Sequence, residues 1–226
     1  LKRVEYPIIN LWYKRNDEKL GAYHKDHGEG LDNFHVGVSR GIGGTAVKVD
    51  TSYYFSKNFT SYKTITTGPI RTSFVLTYAS WYANGKQIDE TKRISLDYGQ
   101  NLSRFEIDVK GTETISSGLT LHNKKGSTNQ DENNYWVSNW EKLQDSKIGT
   151  GIVTTKPYFS GTEKYVTLRK DESNHFLHLN IIDGKVIFYS GFGWVKSQQI
   201  KDNNEWEKYL TDFSRKINNP LVVIQN

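Results

Sequence analysis

The stretch Arg71-Thr-Ser-Phe-Val-Leu-Thr-Tyr78 decides the fold class, because it shows the two-residue period of a β-strand. Successive strand side chains point to opposite faces, so Phe74, Leu76 and Tyr78 share one face. The same period, or an apolar run of strand length, recurs along the chain. We therefore predict further strands at residues 92–97, 102–109, 150–155, 165–168, 175–182, 186–190 and 221–224.

Short turn signals separate these runs. They include Ala83-Asn-Gly85, Tyr98-Gly99 and Asp183-Gly184. The last pair lies between two apolar runs and predicts a tight hairpin. Strands joined by short polar turns, without interleaved helical periods, indicate antiparallel sheets. The expected fold is mainly β: one antiparallel β-sandwich domain over residues 1–226.

One helix is predicted near the C-terminus, over residues 202–217. Asp202 can cap it, and Glu205 three residues later completes a capping box. Residues 124–134 are polar and rich in Gly, Asn and Ser, which predicts a mobile loop. The helix should pack on a sheet through an apolar stripe made of Trp206, Tyr209, Leu210, Phe213 and Ile217.

The charge composition narrows the classes of molecule that the protein is expected to bind. Thirty Lys and Arg against 25 Asp and Glu give a net charge of +5, yet basic residues never form runs longer than two. This pattern argues against nucleic acid and favours an anionic substrate. No apolar run reaches transmembrane length, so no membrane span is expected. The chain begins at Leu1 and has no Met, so we expect a processed, periplasmic or secreted protein whose export signal has been removed.

The loop-like stretch Tyr23-His-Lys-Asp-His-Gly-Glu-Gly-Leu-Asp32 is dense in proton-transfer groups. Two of the six histidines of the chain, His24 and His27, lie three positions apart within it. Catalytic groups are frequent on loops that a rigid frame holds. A site is therefore expected here, with a solvated polar loop as the alternative.

Four further stretches belong with the histidine stretch: Val36-Gly-Val-Ser-Arg-Gly-Ile-Gly-Gly44, Gly68-Pro-Ile-Arg-Thr72, Glu90-Thr-Lys-Arg-Ile-Ser-Leu-Asp97 and Tyr189-Ser-Gly-Phe-Gly-Trp-Val-Lys-Ser197. Together the five resemble a bacterial polysaccharide-utilisation family of formerly unknown function that includes ulvan oligosaccharide dehydratases. Gly-Pro-Ile-Arg followed by Ile-Ser-Leu-Asp is also similar to the super-sandwich of galactose mutarotases and polysaccharide lyases.

The resemblance implies a dehydratase that removes water across C4–C5 of a non-reducing-end uronate in ulvan-type oligosaccharides. Such a reaction needs a cation for the carboxylate, a base for the C5 proton and an acid for the departing hydroxyl. The alternatives are a polysaccharide lyase that cleaves the chain by β-elimination, a non-catalytic carbohydrate-binding module and a sugar epimerase. The expected partner is an anionic oligosaccharide of uronate and sulfated rhamnose.

Histidine suits both proton tasks because its pKa lies near neutrality. His24 and His27 are therefore the expected base and acid, with Tyr158 as the third candidate. Tyr158 follows Pro157 at a predicted strand end, where loops form clefts; a packed surface tyrosine is the alternative. His175 and His178 are three residues apart in a predicted strand, so they should face opposite sides of the sheet.

Substrate-binding residues are predicted on both sides of the histidine stretch and in later strands. Lys14, Arg15 and Arg40 could pair with the uronate carboxylate, since arginine matches a carboxylate with two hydrogen bonds. Solvated surface cations are the alternative, more so for Lys14, and Arg71 is expected to be structural. The other candidates are Asp32 in the loop, His122 at a strand end, and Trp194 with Lys196, which could stack a sugar ring and pair with an anion. A core tryptophan beside a solvated lysine is the alternative for that pair.

No cofactor is expected. His24, His27 and Asp32 could supply three zinc ligands, and Asp26 with Glu29 could add oxygens around a harder cation. Their spacing matches no strong metal signature, so a divalent metal is the less favoured alternative.

Overall fold

The computed structural model describes residues 39–122 and 124–221, and these residues are mostly strand. Fourteen strands follow one another in the described part of the chain. They are β1 (Ile42–Val49), β2 (Ser52–Tyr54), β3 (Ser61–Thr67), β4 (Arg71–Thr77), β5 (Trp81–Ala83), β6 (Lys86–Asp97), β7 (Leu102–Lys110), β8 (Thr114–Thr120), β9 (Ser127–Asp131), β10 (Trp136–Leu143), β11 (Ser146–Thr154), β12 (Phe159–Tyr165), β13 (Asn174–Asn180) and β14 (Lys185–Trp194).

The strands form two sheets. The smaller has five strands in the order β12-β13-β8-β1-β2, and the larger has nine, in the order β3-β4-β6-β7-β14-β11-β10-β9 with β5 also paired to β6. Each strand pair in the described residues is antiparallel. The predicted antiparallel β-sandwich is therefore confirmed.

Apolar side chains from the inner faces of both sheets form the main core. Leu119 and Leu177 of the smaller sheet are fully buried, as are Ile148 and Ile152 of the larger one. Because alternate residues of β8 and β13 fill this core, the residues between them must lie on the outer face of the smaller sheet. That face carries the polar groups described below.

The described residues contain one α-helix, α1 (Asn203–Asn218), which packs on the outer face of the larger sheet, and a short 3-10 helix at Val195–Ser197. The Asp202 side chain accepts a hydrogen bond of 2.9 Å from the Glu205 amide. The predicted helix and its N-cap are confirmed, with one difference. The Glu205 carboxylate accepts from the Lys201 amide at 2.8 Å, one residue before the position that a capping box would use.

Trp206 of α1 is fully buried in a second cluster, as its place in the apolar stripe predicted. Its indole nitrogen donates to the Thr150 carbonyl at 3.2 Å. The ring lies on glycines of the sheet, and a Cβ added at Gly149 would approach Trp206 Cδ1 to 2.5 Å. Glycine at this position therefore makes the space in which the indole packs.

The Asp183-Gly184 hairpin is also confirmed. Both residues have positive φ, 51° and 73°, as a tight two-residue hairpin turn requires. Ile182 and Lys185 exchange two backbone hydrogen bonds of 2.9 Å across it.

Two local predictions are wrong. The strand predicted at 165–168 ends at Tyr165, because Val166 and Leu168 are 57% and 101% exposed and so bury no strand face. The predicted loop 124–134 contains β9, which pairs with β10 as the edge of the larger sheet. A polar segment can form a strand there because β10 supplies backbone partners along one side. The predicted strand 221–224 lies outside the described residues except for Leu221, which is not in a strand.

Candidate functional site

Five polar side chains meet on the outer face of the smaller sheet. They come from four neighbouring regions of that sheet: β1 with β2, β8, β13 and β12. We call them the outer-face cluster, and its members are Lys48, Tyr53, Ser116, Glu163 and His178.

The Glu163 carboxylate is the centre of the cluster. Its Oε2 atom accepts hydrogen bonds from Lys48 Nζ at 2.5 Å and from the Tyr53 hydroxyl at 2.7 Å. His178 Nε2 lies 3.2 Å from the same oxygen. One carboxylate oxygen thus contacts an ammonium, a phenol and an imidazole.

The imidazole of His178 is held on both sides. Ser116 Oγ lies 2.8 Å from Nδ1, while Nε2 faces the carboxylate. A carboxylate accepts hydrogen bonds, so the network assigns the ring proton to Nε2 and leaves Nδ1 to accept from the serine hydroxyl. Ser116 is 2% exposed, so Nδ1 points into the sheet rather than towards solvent.

The protonation states follow from burial and from Glu163. Burial, joined by the hydrogen bond to Glu163 and its charge, raises the pKa of Tyr53 well above 10. Burial lowers the pKa of His178 although the Glu163 charge opposes this. Burial works to raise the pKa of Glu163, but the hydrogen bonds from Lys48 and Tyr53 outweigh it and bring that pKa below 4.5. Near neutral pH the cluster therefore holds a protonated phenol, a neutral imidazole and a carboxylate.

Aromatic rings and an arginine border the cluster. Tyr53 stacks on Phe176 with ring centroids 4.1 Å apart and meets Tyr165 edge-on at 5.4 Å. Gly118 lies beside Phe176, and a Cβ added there would come within 3.2 Å of Arg40 Cβ. Arg40 is buried, and its guanidinium lies 3.7 Å from the centroid of the Phe55 ring.

Gly118 and Phe176 thus place the Cβ of Arg40, a predicted binding residue, at the border of the outer-face cluster. Lys14, Arg15, His24, His27 and Asp32 lie outside the described residues, so their roles stay predictions.

The other predicted site residues lie elsewhere in the sandwich. His122 follows β8, and its Nδ1 is 3.2 Å from Asp171 Oδ1. Tyr158 packs against the core between the sheets. Trp194 pairs with Ile148 in the larger sheet, and Lys196 forms an ion pair of 2.8 Å with Asp145. These four residues do not join the cluster, and their proposed roles in binding or catalysis stay predictions.

The two histidines of β13 face opposite sides, as their spacing predicted. His178 belongs to the outer-face cluster, whereas His175 contacts the larger sheet through the Ser138 carbonyl at 3.3 Å and Gln130 Oε1 at 3.1 Å. Arg71 forms a two-bond ion pair with Asp97, at 2.5 and 2.8 Å, which fits its predicted structural role.

Two buried groups on the inner side of the sandwich have pKa values that are shifted in opposite directions. Burial raises the pKa of Glu141 from 4.5 to about 7. Burial lowers the pKa of His175 from 6.5 to about 4, with a hydrogen bond to Ser138 in opposition. Glu141 therefore lowers the folding stability as pH rises from about 4.5 to about 7, because the unfolded chain loses that proton first. His175 lowers it as pH falls from about 6.5 to about 4, because the unfolded chain binds that proton first.

We expect Glu141→Gln to stabilise the fold at pH 8 by about 3 kcal/mol and to change little at pH 4.5, since each pKa unit corresponds to about 1.4 kcal/mol. Urea unfolding of wild type and variant at both pH values measures this. In the matched control, His175→Gln, stability should fall more steeply between pH 4.5 and 7 than in wild type, because the opposing effect of His175 is removed and that of Glu141 remains. An equal effect of Glu141→Gln at both pH values would contradict the buried, protonated carboxyl.

A family model described as "Domain of unknown function (DUF4861)" matches residues 1–223. The chain belongs to this family. A relative from Formosa agariphila, described as "Uncharacterized protein P7", is 58% identical over 224 residues, which are 99% of this chain and 57% of that protein. The chain thus spans little more than half the length of this relative. No solved structure matches.

Membership of the DUF4861 family confirms the resemblance at the level of a family of unknown function, while the dehydratase subfamily stays a prediction. Among the described residues no group of three or more His, Cys, Asp or Glu side chains could hold a metal ion. The predicted ligands His24, His27 and Asp32 lie outside the described residues. No helix within residues 39–122 and 124–221 is long and apolar enough to cross a membrane.

Proposed function

We propose that this chain is a carbon–oxygen lyase that removes water across C4–C5 of the non-reducing-end uronate of ulvan-type oligosaccharides. The observation that supports this most is the contact of Lys48 and Tyr53 with one oxygen of Glu163, on the outer face of a rigid sheet. A cation, a protonated phenol and a carboxylate are the three groups that the elimination needs. The sites of lyases that act on uronates must supply all three to one sugar ring.

Lys48 and Arg40 neutralise the sugar carboxylate. With His178 neutral, the charges of Lys48 and Glu163 cancel within the cluster, and the bordering Arg40 brings the sum of the three charges to +1, which favours an anion. Neutralising the carboxylate makes the C5 proton more acidic. When Lys48 turns towards the substrate, Glu163 also loses the cation that contributes to its low pKa.

Glu163 is the base. Its side chain is 30% exposed, so it can reach a bound sugar, whereas His178 Nδ1 faces the buried Ser116. His178 therefore acts as a positioning residue that holds the carboxylate through Nε2. When Lys48 turns from Glu163 to the substrate, the pKa of Glu163 rises towards the range in which a carboxylate is an effective base.

Tyr53 is the acid. Its raised pKa keeps the phenol protonated at neutral pH, and the departing hydroxide is more basic than a phenolate. In the reaction the C5–H bond breaks and its proton goes to Glu163, while the C4–O bond breaks and the oxygen takes the Tyr53 proton to leave as water. The electron pair from C5–H forms the C4–C5 double bond. Proton transfer from Glu163 to the Tyr53 phenolate, over 2.7 Å, then restores the site.

The short distance between base and acid predicts the stereochemistry. Both groups must approach the sugar from one side, which gives a syn elimination. In a glucuronate ring the C4 oxygen and the C5 hydrogen lie on the same face, whereas in iduronate they lie on opposite faces. We expect turnover of oligosaccharides ending in glucuronate to exceed that of their iduronate epimers by about two orders of magnitude, the usual worth of one well-placed proton-transfer group. Equal rates on the two purified epimers would contradict a common side for Tyr53 and Glu163.

The histidine stretch gives a separate prediction. If His24 and His27 transfer protons, His24→Ala and His27→Ala should fold normally and lose about a hundredfold or more in rate, with His27→Ala slightly the more affected. If they lie on a solvated loop, both variants should keep the wild-type rate. Steady-state kinetics on a confirmed substrate, with circular dichroism to check folding, decide between these outcomes.

The proposed function is tested by incubating the protein with uronate-terminated oligosaccharides. The ultraviolet absorbance of the 4,5-unsaturated product and the product mass are followed together. Loss of one water without chain shortening supports the dehydratase. Unsaturated products of shorter chain length would indicate a polysaccharide lyase, and binding without any chemical change would indicate a carbohydrate-binding module.

A further inference from the structure

A second polar site lies on the inner side of the sandwich. A pocket of about 130 Å³ opens where β9, β10 and β12 approach one another, and Asn139, Glu141, Thr128 and Lys164 line it. Lys164 is the neighbour of Glu163 on β12, so its side chain leaves the strand on the opposite face. The pocket is therefore separate from the outer-face cluster.

Asn139 is the unusual member of this pocket. It is 1% exposed, yet neither its amide oxygen nor its amide nitrogen makes a hydrogen bond within the described part of the chain. Buried polar groups are nearly always paired, because an unpaired one loses its hydration without compensation. A buried amide that lines a pocket and has no protein partner points to a ligand that pairs with it.

Gly126 shapes the wall above this amide. A Cβ added at Gly126 would lie 2.3 Å from Asn139 Oδ1 and 3.2 Å from Glu141 Cβ. Any larger residue would therefore cover both polar groups. The glycine leaves the amide and the carboxyl open to the pocket.

The charges of the lining select a neutral ligand. Lys124 and Lys164 line the pocket, and their ammonium groups oppose a metal cation. Both ammonium groups are already held by protein oxygens, Lys164 by Thr128 Oγ1 at 2.9 Å and Lys124 by the Thr167 carbonyl, so neither is directed at an anion in the pocket. An amide, a carboxyl and an ammonium together offer donors and acceptors that match sugar hydroxyls, each of which both donates and accepts. Leu121, also in the lining, supplies an apolar surface for the carbon–hydrogen face of a ring.

We propose that this pocket is a binding site for a neutral sugar, in which Asn139 and Glu141 hold the hydroxyl edge of one ring. The volume of about 130 Å³ equals that of roughly four waters at about 30 Å³ each, so only part of a ring enters. The site does not depend on the elimination chemistry, because none of its residues belongs to the outer-face cluster. A sugar unit of a longer chain, or a free monosaccharide, would satisfy the same groups.

The test uses the side-chain amide signals of Asn139 in nuclear magnetic resonance spectra of the ¹⁵N-labelled chain. These signals are assigned by their loss in Asn139→Leu. L-Rhamnose, D-xylose and D-glucose are added one at a time, with sodium sulfate and calcium chloride as charged probes. We expect at least one neutral sugar to shift the signals in a saturable way in wild type and in His178→Gln, and neither salt to do so.

Asn139→Leu should fold, since the amide makes no hydrogen bond and leucine has a similar volume, and sugar binding seen by saturation transfer should fall at least tenfold. If this variant does not fold, Lys164→Met at the pocket opening must weaken binding severalfold. The proposal is overturned if no neutral sugar of the panel shifts the Asn139 signals. It is equally overturned if a salt alone shifts them, or if Asn139→Leu binds sugar as wild type does. In these cases the pocket holds ordered water or an ion.

Discussion

Trp206→Ala is expected to lower the free energy of unfolding by about 3–5 kcal/mol, the usual cost of removing a large buried aromatic side chain. Trp206 is fully buried between α1 and the larger sheet and donates a hydrogen bond to the Thr150 carbonyl. Its truncation leaves a cavity above Gly149 and an unpaired carbonyl. Urea unfolding measures the loss.

Lys208→Ala is the matched control for this prediction. It lies on the same helix with a side chain that is 75% exposed, and it should change the stability by no more than about 0.5 kcal/mol. If Trp206→Ala were no more destabilising than Lys208→Ala, α1 would not be anchored on the sheet through its apolar stripe.

Tyr53→Phe is expected to lower turnover of a uronate oligosaccharide by about a hundredfold or more, since it removes only the hydroxyl that donates the proton. The ring contacts with Phe176 and Tyr165 remain, so the stability should change little. The rate loss should appear mainly in kcat, because the phenol acts on the leaving oxygen rather than on the carboxylate.

Tyr54→Phe provides the control, because Tyr54 is the next residue of β2 and packs against the main core instead of the outer face. It should keep the wild-type rate. Glu163→Gln should lower the turnover rate as much as Tyr53→Phe does. The double variant should be only slightly slower than either single variant, since both groups serve one proton cycle. Similar rates for Tyr53→Phe and Tyr54→Phe would remove Tyr53 from the reaction.

The fold could be predicted from the sequence because its signals are local. Each signal is made by residues that are close together in the sequence. This holds for the two-residue period of residues 71–78, the Asp183-Gly184 turn and the apolar stripe of α1. The errors also have a local cause. The apolar residues of 165–168 suggested a strand, but they are exposed. The polar residues of 124–134 suggested a loop, but part of this segment pairs at a sheet edge.

The outer-face cluster could not be predicted in the same way. Lys48, Ser116, Glu163 and His178 are separated by up to 130 residues and meet only because β1, β8, β13 and β12 are neighbours in one sheet. The register of strand pairing decides which side chains share a face. Neither this register nor the order of the strands can be deduced from a single local motif. The opposite facing of His175 and His178 was the one part of this site that spacing alone indicated.

Release of deuterium from C5 tests the central claim most directly. A uronate oligosaccharide carrying deuterium at C5 of its non-reducing end is incubated with the protein, and the products are weighed by mass spectrometry. The proposed elimination predicts a product that has lost both the C5 deuterium and the C4 hydroxyl. This product should form more slowly than from the unlabelled substrate, and it should be absent with Glu163→Gln. A wild-type product that retains the C5 deuterium would contradict the account.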